Sequence, residues 1–312
     1  MTRVSPLTSG PALLQITGVG CPICHSDDTR SLLVHKGFDV RRCRRCDHLW
    51  ADGGGAADYL NEPSLLDRFK HEEFIHRALM RKNLAFLQKW LPPGARILDF
   101  GCGSGLFVME ALAAGYDAVG LDLAGWVADA ATHWRLPLHV GPLETAGYPQ
   151  ESFDAIVSIV CFEHLEDPVG ITGRLVRLLK PGGILAVLSI PHSRGLPWLV
   201  TGERWWDLEP PNHLHFFSRH SLARLFRSHG LKVLRTRTTG VGTGFFSSLL
   251  GRGRDERTPL DRFQQQTNAG TEGTGTNGPI QWLASRVAVP LVNAALDLTN
   301  LGNNLTMVGR KG

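Results

Sequence analysis

Four cysteines near the start of the sequence have the spacing of a metal site. They form two CxxC pairs, Cys21-Pro-Ile-Cys24 and Cys43-Arg-Arg-Cys46, with eighteen residues between the pairs. Zinc takes four tetrahedral ligands, and each pair can turn two thiolates toward one point. The residues between the pairs have room for a β-hairpin with its turn near 36–37. The spacing therefore predicts a small zinc ribbon.

Positive side chains crowd this hairpin. Between residues 30 and 46 there is one acid, Asp39, and there are six positive residues, which are Arg30, Lys36, Arg41, Arg42, Arg44 and Arg45. A ribbon this small has almost no interior, so its long side chains should point outward and offset the charge of the thiolates. The alternative is contact with RNA, but single-strand binders interleave stacking aromatics, and only Phe38 and Trp50 are available. His25 and His48 should lie at the surface, because four thiolates already complete a zinc site.

The composition fits a folded protein with one large domain and one small one. The chain has 312 residues, of which 43% are hydrophobic and 20% charged, and its formal net charge is +4. That net charge is far lower than expected for an obligate nucleic-acid binder, which has a densely basic surface. Residues 1–20 lack the features of a signal peptide, and no run reaches the ~18 apolar residues of a membrane-spanning helix. We therefore expect a cytoplasmic protein.

Short apolar strands alternate with helical stretches through the middle of the chain. The segments ARILDF, DAVGLDL, LPLHV, FDAIVSIV and GILAVLSI are typical of strands, and helices are predicted over 106–115, 125–134 and 168–179. Such alternation predicts an α/β fold, with helices on both faces of a parallel sheet that binds ligands at the carboxyl ends of its strands. One more helix is predicted over 64–90, ended by Pro92-Pro93-Gly94.

A glycine-rich loop follows the first of these strands. Its pattern is Gly101-x-Gly103-x-Gly105, which lets the backbone pass close to a ligand at the end of the strand. A dinucleotide-binding loop would have the pattern GxGxxG, whereas position 106 here is a leucine. The loop therefore indicates a nucleotide-like ligand of another kind.

Two acids beside the loop define that ligand further. Asp99 lies just before the loop, where it would repel a pyrophosphate and attract a cationic amino group. Asp122 ends the second strand, 23 residues later, which is the place for a carboxylate that accepts ribose hydroxyls. The predicted ligand is a nucleoside with positive charge near the loop. S-adenosylmethionine fits, because it carries an ammonium and a sulfonium group.

Several stretches together resemble one enzyme family, the class I methyltransferases, in its bacterial branch related to ubiquinone-biosynthesis O-methyltransferases. The resemblance covers roughly residues 60–239, and the final LTMVGRK resembles the last strand of the family. The stretches are ILDFGCGSG, VGLDL, SFDAIVSIVCFEHLEDP, LLKPGGILAVLSIP and NHLHFFSRHSL. A zinc ribbon ahead of such a domain also resembles some sugar C-methyltransferases and one group of ribosomal-RNA guanine methyltransferases.

The resemblance implies the fold and the cofactor site. The fold would be a Rossmann-like class I methyltransferase sheet, with a small N-terminal zinc ribbon and a C-terminal helical insertion before the last strand. The implied cofactor-binding residues are Asp99, Gly101, Cys102, Gly103, Gly105, Asp122, Leu123, Leu143 and Glu144. Leu143 and Glu144 would lie near the adenine, where many relatives also have an aspartate at the position of Pro142.

Candidate catalytic residues come from two loops at the same edge of the sheet. In VCFEHLEDP, His164 is the natural proton acceptor, and the alternative is that Glu163 and His164 cap and orient the next helix. In NHLH, His213 and His215 would share a side in an extended segment and could orient a substrate. His192 is a weaker candidate.

The loop VCFEHLEDP has only part of a motif that binds a divalent metal in related enzymes. Related O-methyltransferases can bind such a metal through a Glu-x-x-Glu-His motif. Here Val160 occupies the first position of that motif.

The domain organisation follows from these motifs. We expect a tail over 1–20, the zinc ribbon over 21–55, a linker and helical lid over 56–93, the methyltransferase core over 94–239, a flexible insertion over 240–278, and a final helix and strand over 279–312. The apolar helix over 279–301 could pack on the core, form a homodimer or lie on a membrane surface.

The sequence favours an S-adenosylmethionine-dependent methyltransferase acting on a hydroxyl of a small-molecule, sugar or lipid-linked metabolite, with transfer to carbon left open. An RNA methyltransferase guided by the basic ribbon is one alternative. A non-catalytic cofactor-binding scaffold is another, which the intact loop and both acids argue against.

Overall fold

A computed structural model describes residues 20–53, 64–240 and 289–312. The strands are β1 Thr29–His35, β2 Phe38–Cys43, β3 Leu49–Asp52, β4 Arg96–Phe100, β5 Asp117–Asp122, β6 Leu138–Val140, β7 Phe153–Ile159, β8 Leu179–Pro191, β9 His215–Phe216, β10 Leu231–Thr239 and β11 Asn304–Lys311. The helices are α1 Ser64–His71, α2 Glu73–Leu87, α3 Leu106–Ala113, α4 Val127–Trp134, α5 Pro168–Leu178, α6 Leu196–Thr201, α7 Arg219–Ser228 and α8 Val289–Thr299.

Seven strands form the large sheet, in the order β10-β11-β8-β7-β4-β5-β6. The five strands from β6 to β8 in that order are parallel, and β11 runs antiparallel between β8 and β10. Parallel strands need helical crossovers, which place helices on the faces of the sheet. This topology confirms the predicted α/β fold of the class I methyltransferase type.

Both faces of this sheet are packed with apolar side chains. Successive side chains of a strand point to opposite faces, so neighbouring residues of the central strands belong to different apolar clusters. In β4, Ile97 belongs to the apolar cluster that contains Phe107 and Val108 of α3. Its neighbour Leu98 belongs to the opposite cluster, with Phe226 of α7. A sheet packed on both faces holds its carboxyl edge, and the loops there, in a fixed geometry.

The helix predicted over 64–90 is two helices followed by one 3₁₀ turn. α1 ends at His71 and α2 begins at Glu73, because Glu72 adopts φ −110° and ψ 14°, outside the helical region. Arg77 and Arg81 of α2 both pair with the buried Glu110 of α3. This ion cluster fixes α2 against the helix that follows the glycine-rich loop.

The amino-terminal ribbon is a three-stranded antiparallel sheet that gains a fourth strand from the core. The predicted hairpin is confirmed, since Lys36 and Gly37 turn between β1 and β2 with φ values of 50° and 85°. β3 pairs with β2 on one side and with β9 on the other. Residues 215–216, far along the chain, therefore complete the sheet of the ribbon.

Two expectations about the surface of the ribbon are wrong. His48 is fully buried and Arg42 is only 6% exposed, whereas His25, Arg44 and Arg45 are exposed as expected. The cause is contact with the core, because the segment around 193 and strand β9 cover the second cysteine pair. A single small domain, reasoned about alone, offers no such cover.

The carboxyl-terminal part is described from residue 289 on. Helix α8 fits the predicted helix over 279–301, and its Leu296 packs inward while Leu291 and Leu298 are exposed. The predicted insertion over 240–278 lies outside the described residues apart from Gly240, as do most of the tail over 1–20 and the start of the linker. In the parts of the chain that are described, no helix is both long and apolar enough to cross a membrane.

Candidate active site and metal centre

A large cavity opens at the carboxyl edge of the parallel strands. Its volume is about 1020 Å³, and its walls include the glycine-rich loop, the loop after β7 and the segment around 210–214. Sites for small ligands usually measure roughly 300–1,000 Å³, so this one has room for a cofactor and a second molecule.

The glycine-rich loop has the backbone shape that its sequence predicts. Gly101, Gly103 and Gly105 all have positive φ values, of 75°, 48° and 75°, which side chains rarely allow. A Cβ at Gly101 would collide with the side chain of Cys161, and one at Gly105 would lie 2.7 Å from Leu138 Cδ1. These glycines keep the loop close to the sheet and leave the cavity open.

The two predicted acids stand at the ends of adjacent strands and face this loop. Asp122 accepts hydrogen bonds from the backbone N–H of Gly103 (2.8 Å) and of Ala124 (2.9 Å), which fix its carboxylate. Asp99 is only 3% exposed, and its Oδ1 has no hydrogen-bond partner among the described residues. Burial, and then the charge of Asp122, raise the pKa of Asp99 to about 8.

S-adenosylmethionine fits the chemistry of this wall. A buried carboxyl group without a partner is costly, and a cationic ligand group would relieve that cost. The ammonium of the cofactor is such a group, so Asp99 could hold it while Asp122 takes the ribose. The other predicted contacts, Cys102, Leu123, Leu143 and Glu144, also line the cavity. Glu144 forms an ion pair with Arg174, which draws its charge away from the cavity.

Three further side chains that line this cavity come together from two distant loops. They are Glu163 and His164, on a 3₁₀ turn after β7, and His213, which lies about fifty residues further along. One ligand atom from each residue lies within 4.8 Å of the others, and the two rings are 4.9 Å apart between centroids. We call these three residues the acceptor cluster.

Hydrogen bonds to backbone carbonyls orient both rings of the acceptor cluster. His164 Nδ1 donates to the carbonyl of Asn212 (2.6 Å), and His213 Nδ1 donates to the carbonyl of Asp207 (2.7 Å). A carbonyl can only accept, so the proton of each neutral ring sits on Nδ1 and the lone pair on Nε2. Burial lowers the pKa of His164 to about 4, which keeps this ring neutral with its lone pair on Nε2 but makes it a weaker base than an exposed imidazole.

Glu163 brings a carboxyl group into the same cluster. It is fully buried, and neither carboxyl oxygen has a hydrogen-bond partner within the described part of the chain. Burial raises its pKa to about 8. Two chemistries suit this arrangement. A polar acceptor group could give its proton to His164 beside a protonated Glu163, or a divalent cation could occupy the space between two imidazoles and one carboxylate.

The structure separates two predicted histidines from this cluster. His215 is 1% exposed and turns into the ribbon, where its Nδ1 lies 3.0 Å from His48 Nε2. It shares no side with His213, because the extended strand begins only at His215. His192 is buried and its Nδ1 donates to the carbonyl of Gly302 (3.1 Å). Neither residue lines the cavity, which corrects the expectation that His215 contacts substrate.

Several cavity residues escaped the sequence reasoning. Phe69 and Met80 come from the two helices before β4, and Trp126, whose ring stacks on Phe69, comes from the loop before α4. Lys36 and Phe38 come from the hairpin tip of the ribbon. The apolar stripe over 64–90 was a usable signal for the helices, but no spacing in the sequence links the hairpin to the cavity.

The four ribbon cysteines come together in the arrangement that the predicted metal site requires. Sγ atoms of Cys21 and Cys46 lie 3.5 Å apart, as do those of Cys24 and Cys43, and all four lie within 4.8 Å of one another. With zinc–sulfur bonds of about 2.3 Å, a tetrahedral ion needs sulfurs at roughly this spacing. The four thiolates fit zinc, which would supply structural cross-linking of the ribbon.

Comparison with known proteins agrees with this geometry. The chain is similar to the ubiquinone biosynthesis O-methyltransferase of Rhodopseudomonas palustris strain HaA2, with 28% identity over 147 residues, covering 40% of this chain and 58% of that protein. It is similar to the sterol 24-C-methyltransferase of Yarrowia lipolytica, with 27% identity over 154 residues, covering 46% of this chain and 38% of that protein. The chain thus spans 58% or less of the length of these two relatives.

A solved structure and a family match complete the comparison. The structure is the complex between the Haloferax volcanii Trm112 methyltransferase activator and a methyltransferase, with a TM-score of 0.51 at 17% identity, covering 79% of this chain and 94% of the matched one. At that identity the likeness supports the fold alone. The methyltransferase-domain family matches residues 70–236, more than half of the chain. The protein therefore belongs to the methyltransferase-domain family and has the class I S-adenosylmethionine-dependent fold.

Proposed function

We propose that this protein transfers a methyl group from S-adenosylmethionine to a hydroxyl of a small-molecule or lipid-linked acceptor. One observation carries the proposal, namely that the two acids with the glycine-rich loop and the acceptor cluster line the same cavity. A site for a cationic cofactor and a site that can accept a proton would then share one cavity, where the two substrates would meet.

The residues of the acceptor cluster would handle the proton. When bound, S-adenosylmethionine supplies an electrophilic methyl group. His164 Nε2 would take the proton that the acceptor hydroxyl loses when it is methylated. His213 and Glu163 would orient the hydroxyl beside that ring. A positioned base of this kind contributes roughly 10²–10⁴-fold to the rate.

The walls of the cavity support an acceptor with an apolar part. Leu65, Phe69 and Met80 from α1 and α2 line it, together with Phe38 of the ribbon. Such side chains suit a prenyl, aromatic or other hydrophobic portion of the acceptor. The relatives named above act in ubiquinone biosynthesis and on a sterol carbon, so a carbon acceptor remains the second candidate.

RNA is a weaker candidate as the substrate, because two of the ribbon arginines that suggested it make contacts within the protein. Arg42 is buried against the core rather than displayed, and Arg41 pairs with Asp39, two residues before it on the same strand. Arg44 and Arg45 are exposed. Salt-sensitive RNA binding that disappears when Arg44 and Arg45 are neutralised would favour that function.

The test begins with the cofactor and continues to the acceptor. Calorimetry should show S-adenosylhomocysteine binding, and incubation of the protein with labelled S-adenosylmethionine and a lipid or metabolite extract should label a small molecule. The matched pair is Asp122→Ala, which should lose labelling, and Asp117→Ala, an exposed acid on the same strand, which should keep it. Absence of S-adenosylhomocysteine binding by the unmodified protein would overturn the proposal.

A further inference from the structure

Three consecutive residues touch every member of the acceptor cluster. The carbonyl of Asn212 accepts a hydrogen bond from His164 Nδ1, and the backbone N–H of Leu214 donates one to the carbonyl of Glu163 (2.7 Å). His213, between them, is itself a member of the cluster. The position of the segment 212–214 therefore sets the position of all three catalytic candidates.

The ribbon holds this segment by its backbone. The N–H of Ala51, on β3, donates to the carbonyl of Leu214 (2.9 Å), and β3 continues into the pairing of Trp50 with His215 and of Leu49 with Phe216. A path of two hydrogen bonds through Leu214 thus connects the third ribbon strand to the main chain of Glu163. Because β9 has only two residues, this pairing depends on a correctly placed β3.

The second cysteine pair is anchored to the core beside this strand. Arg42, just before Cys43, contacts Asp47 Oδ1 (2.9 Å) and the carbonyl of Ser193 (3.2 Å). Asp47, just after Cys46, also accepts two hydrogen bonds from Arg194 (2.6 and 2.8 Å). The Arg42 guanidinium is buried, and separating a buried charge from its partners is costly, so this contact resists sliding of the ribbon. The pair between Asp47 and the exposed Arg194 adds less.

A buried histidine pair closes the same interface. His48 and His215 are 0% and 1% exposed, and their ring nitrogens lie 3.0 Å apart. The ring of Phe217 packs on His48 at 4.8 Å between centroids. The residues next to the metal ligands in sequence, Arg42, Asp47 and His48, therefore point into the core.

We propose that the zinc ribbon is a positioning element for the acceptor cluster. The zinc site fixes the second cysteine pair, this pair fixes β3, and β3 fixes the segment 212–214. The inference rests on the proposed function, because it gives the ribbon a role in the acceptor half of that site. It assigns Arg42 and His215 as positioning residues, and it leaves the cofactor wall, built on β4 and β5, independent of the ribbon.

A matched pair of arginine variants tests the proposal with zinc in place. Arg42→Ala removes the anchor, and Arg45→Ala removes an exposed arginine from the same sequence region. Both variants should retain one zinc per chain by elemental analysis. Hydrogen exchange in residues 207–217 should then rise roughly tenfold in Arg42→Ala and stay unchanged in Arg45→Ala, because local opening becomes easier only where the anchor is lost.

The ring protons give a second measurement that general loosening would not reproduce. Long-range proton–nitrogen spectra should show His164 and His213 as Nδ1–H tautomers, assigned with His164→Gln and His213→Gln. In Arg42→Ala, and in protein stripped of zinc under reducing conditions, the tautomer signature of His164 should change. S-adenosylhomocysteine affinity should stay within about twofold in both, as expected for an intact cofactor half.

Two results would overturn the inference. One is unchanged exchange and unchanged histidine tautomers in 207–217 when zinc is removed and residues 21–52 exchange freely. The other is unmodified protein, purified without chelators, that holds no zinc. Failure of the proposed function would instead show as absence of S-adenosylhomocysteine binding in the unmodified protein, so the two failures are distinguishable.

Discussion

The two halves of the cavity contain buried titratable groups of opposite kinds. The cofactor half contains two carboxyl groups, Asp99 and Asp122, whose pKa values burial raises. The acceptor half and the interface behind it contain buried histidines, and burial lowers the pKa values of His164, His192 and His215 to about 4. Glu163, with its raised pKa, is the exception on this side.

The two halves therefore respond to pH in opposite directions. Where a carboxyl pKa is raised, the unfolded chain holds fewer protons than the folded one, so stability falls as pH rises toward 8. Where a histidine pKa is lowered, the unfolded chain holds more protons, so stability falls as pH drops from about 6.5 toward 4. A bound cationic ligand would offset the cost of ionising the buried carboxyl groups. The cost of protonating the buried histidines has no such compensation from the ligand.

The largest expected effect is loss of the proton acceptor. His164→Ala should lower turnover by roughly 10²–10⁴-fold while S-adenosylhomocysteine affinity persists, because the ring belongs to the acceptor cluster and not to the predicted cofactor-binding residues. Turnover is measured as S-adenosylhomocysteine release with the labelled acceptor. His220→Ala, an exposed histidine on α7, is the control.

Two outcomes would change the role of the acceptor cluster. Full turnover in His164→Ala would leave His164 a structural role at its turn and transfer the catalytic role to His213. Turnover that a chelator abolishes in the unmodified protein, and that Mg²⁺ or Mn²⁺ restores, would assign the cluster to a divalent cation. An acidic or activated carbon acceptor would give a smaller loss in His164→Ala.

On the cofactor side, Asp122→Ala should weaken S-adenosylhomocysteine binding by about 2 kcal/mol, or roughly 30-fold, because charge-assisted hydrogen bonds to the ribose are lost. Calorimetry provides the measurement. Asp117→Ala should bind normally. Unchanged affinity in Asp122→Ala would remove this residue from the cofactor site.

The affinity for S-adenosylhomocysteine should also depend on pH through Asp99. With a pKa of about 8, this group is mostly protonated at pH 6.5, and the ligand ammonium prefers the carboxylate. Affinity should therefore rise several-fold between pH 6.5 and 7.5, and binding at pH 7 should release a proton, seen as a buffer-dependent enthalpy. Binding without proton release at pH 7 would mean that Asp99 is already ionised.

The last effect is on the stability of the fold and concerns His192. His192→Gln can keep the donor to the Gly302 carbonyl but cannot be protonated. Its loss of unfolding free energy between pH 7 and pH 5 should be about 2 kcal/mol smaller than that of the unmodified protein, since the lowered pKa of His192 no longer contributes. Urea unfolding at both pH values measures the difference. An equal loss in both proteins would show that His192 titrates normally.

Sequence reasoning succeeded where the chemistry is local along the chain. The glycine-rich loop, Asp99 and Asp122 follow consecutive strands, so their meeting follows from the topology of a parallel sheet. The same holds for the four cysteines, because the pair spacing itself encodes the geometry of a zinc site. Both sets required only short-range structure and the right fold class.

Sequence reasoning failed where burial depends on pairing between distant segments. His48, Arg42 and His215 are hidden because β3 pairs with β9, and more than 150 residues separate these strands. No spacing rule links the two. The alternation rule put His213 and His215 on one face, whereas the two-residue strand starts only at His215 and His213 lines the cavity.

Strand β11 has a consequence for synthesis. It fills the gap between β8 and β10, yet residues 240–303 separate it from β10 along the chain. During translation both neighbours emerge first, each with an unpaired edge in the middle of the future sheet. Open strand edges invite association with other chains. The time needed to synthesise residues 240–303 therefore adds to the time for which a new molecule exposes those two edges.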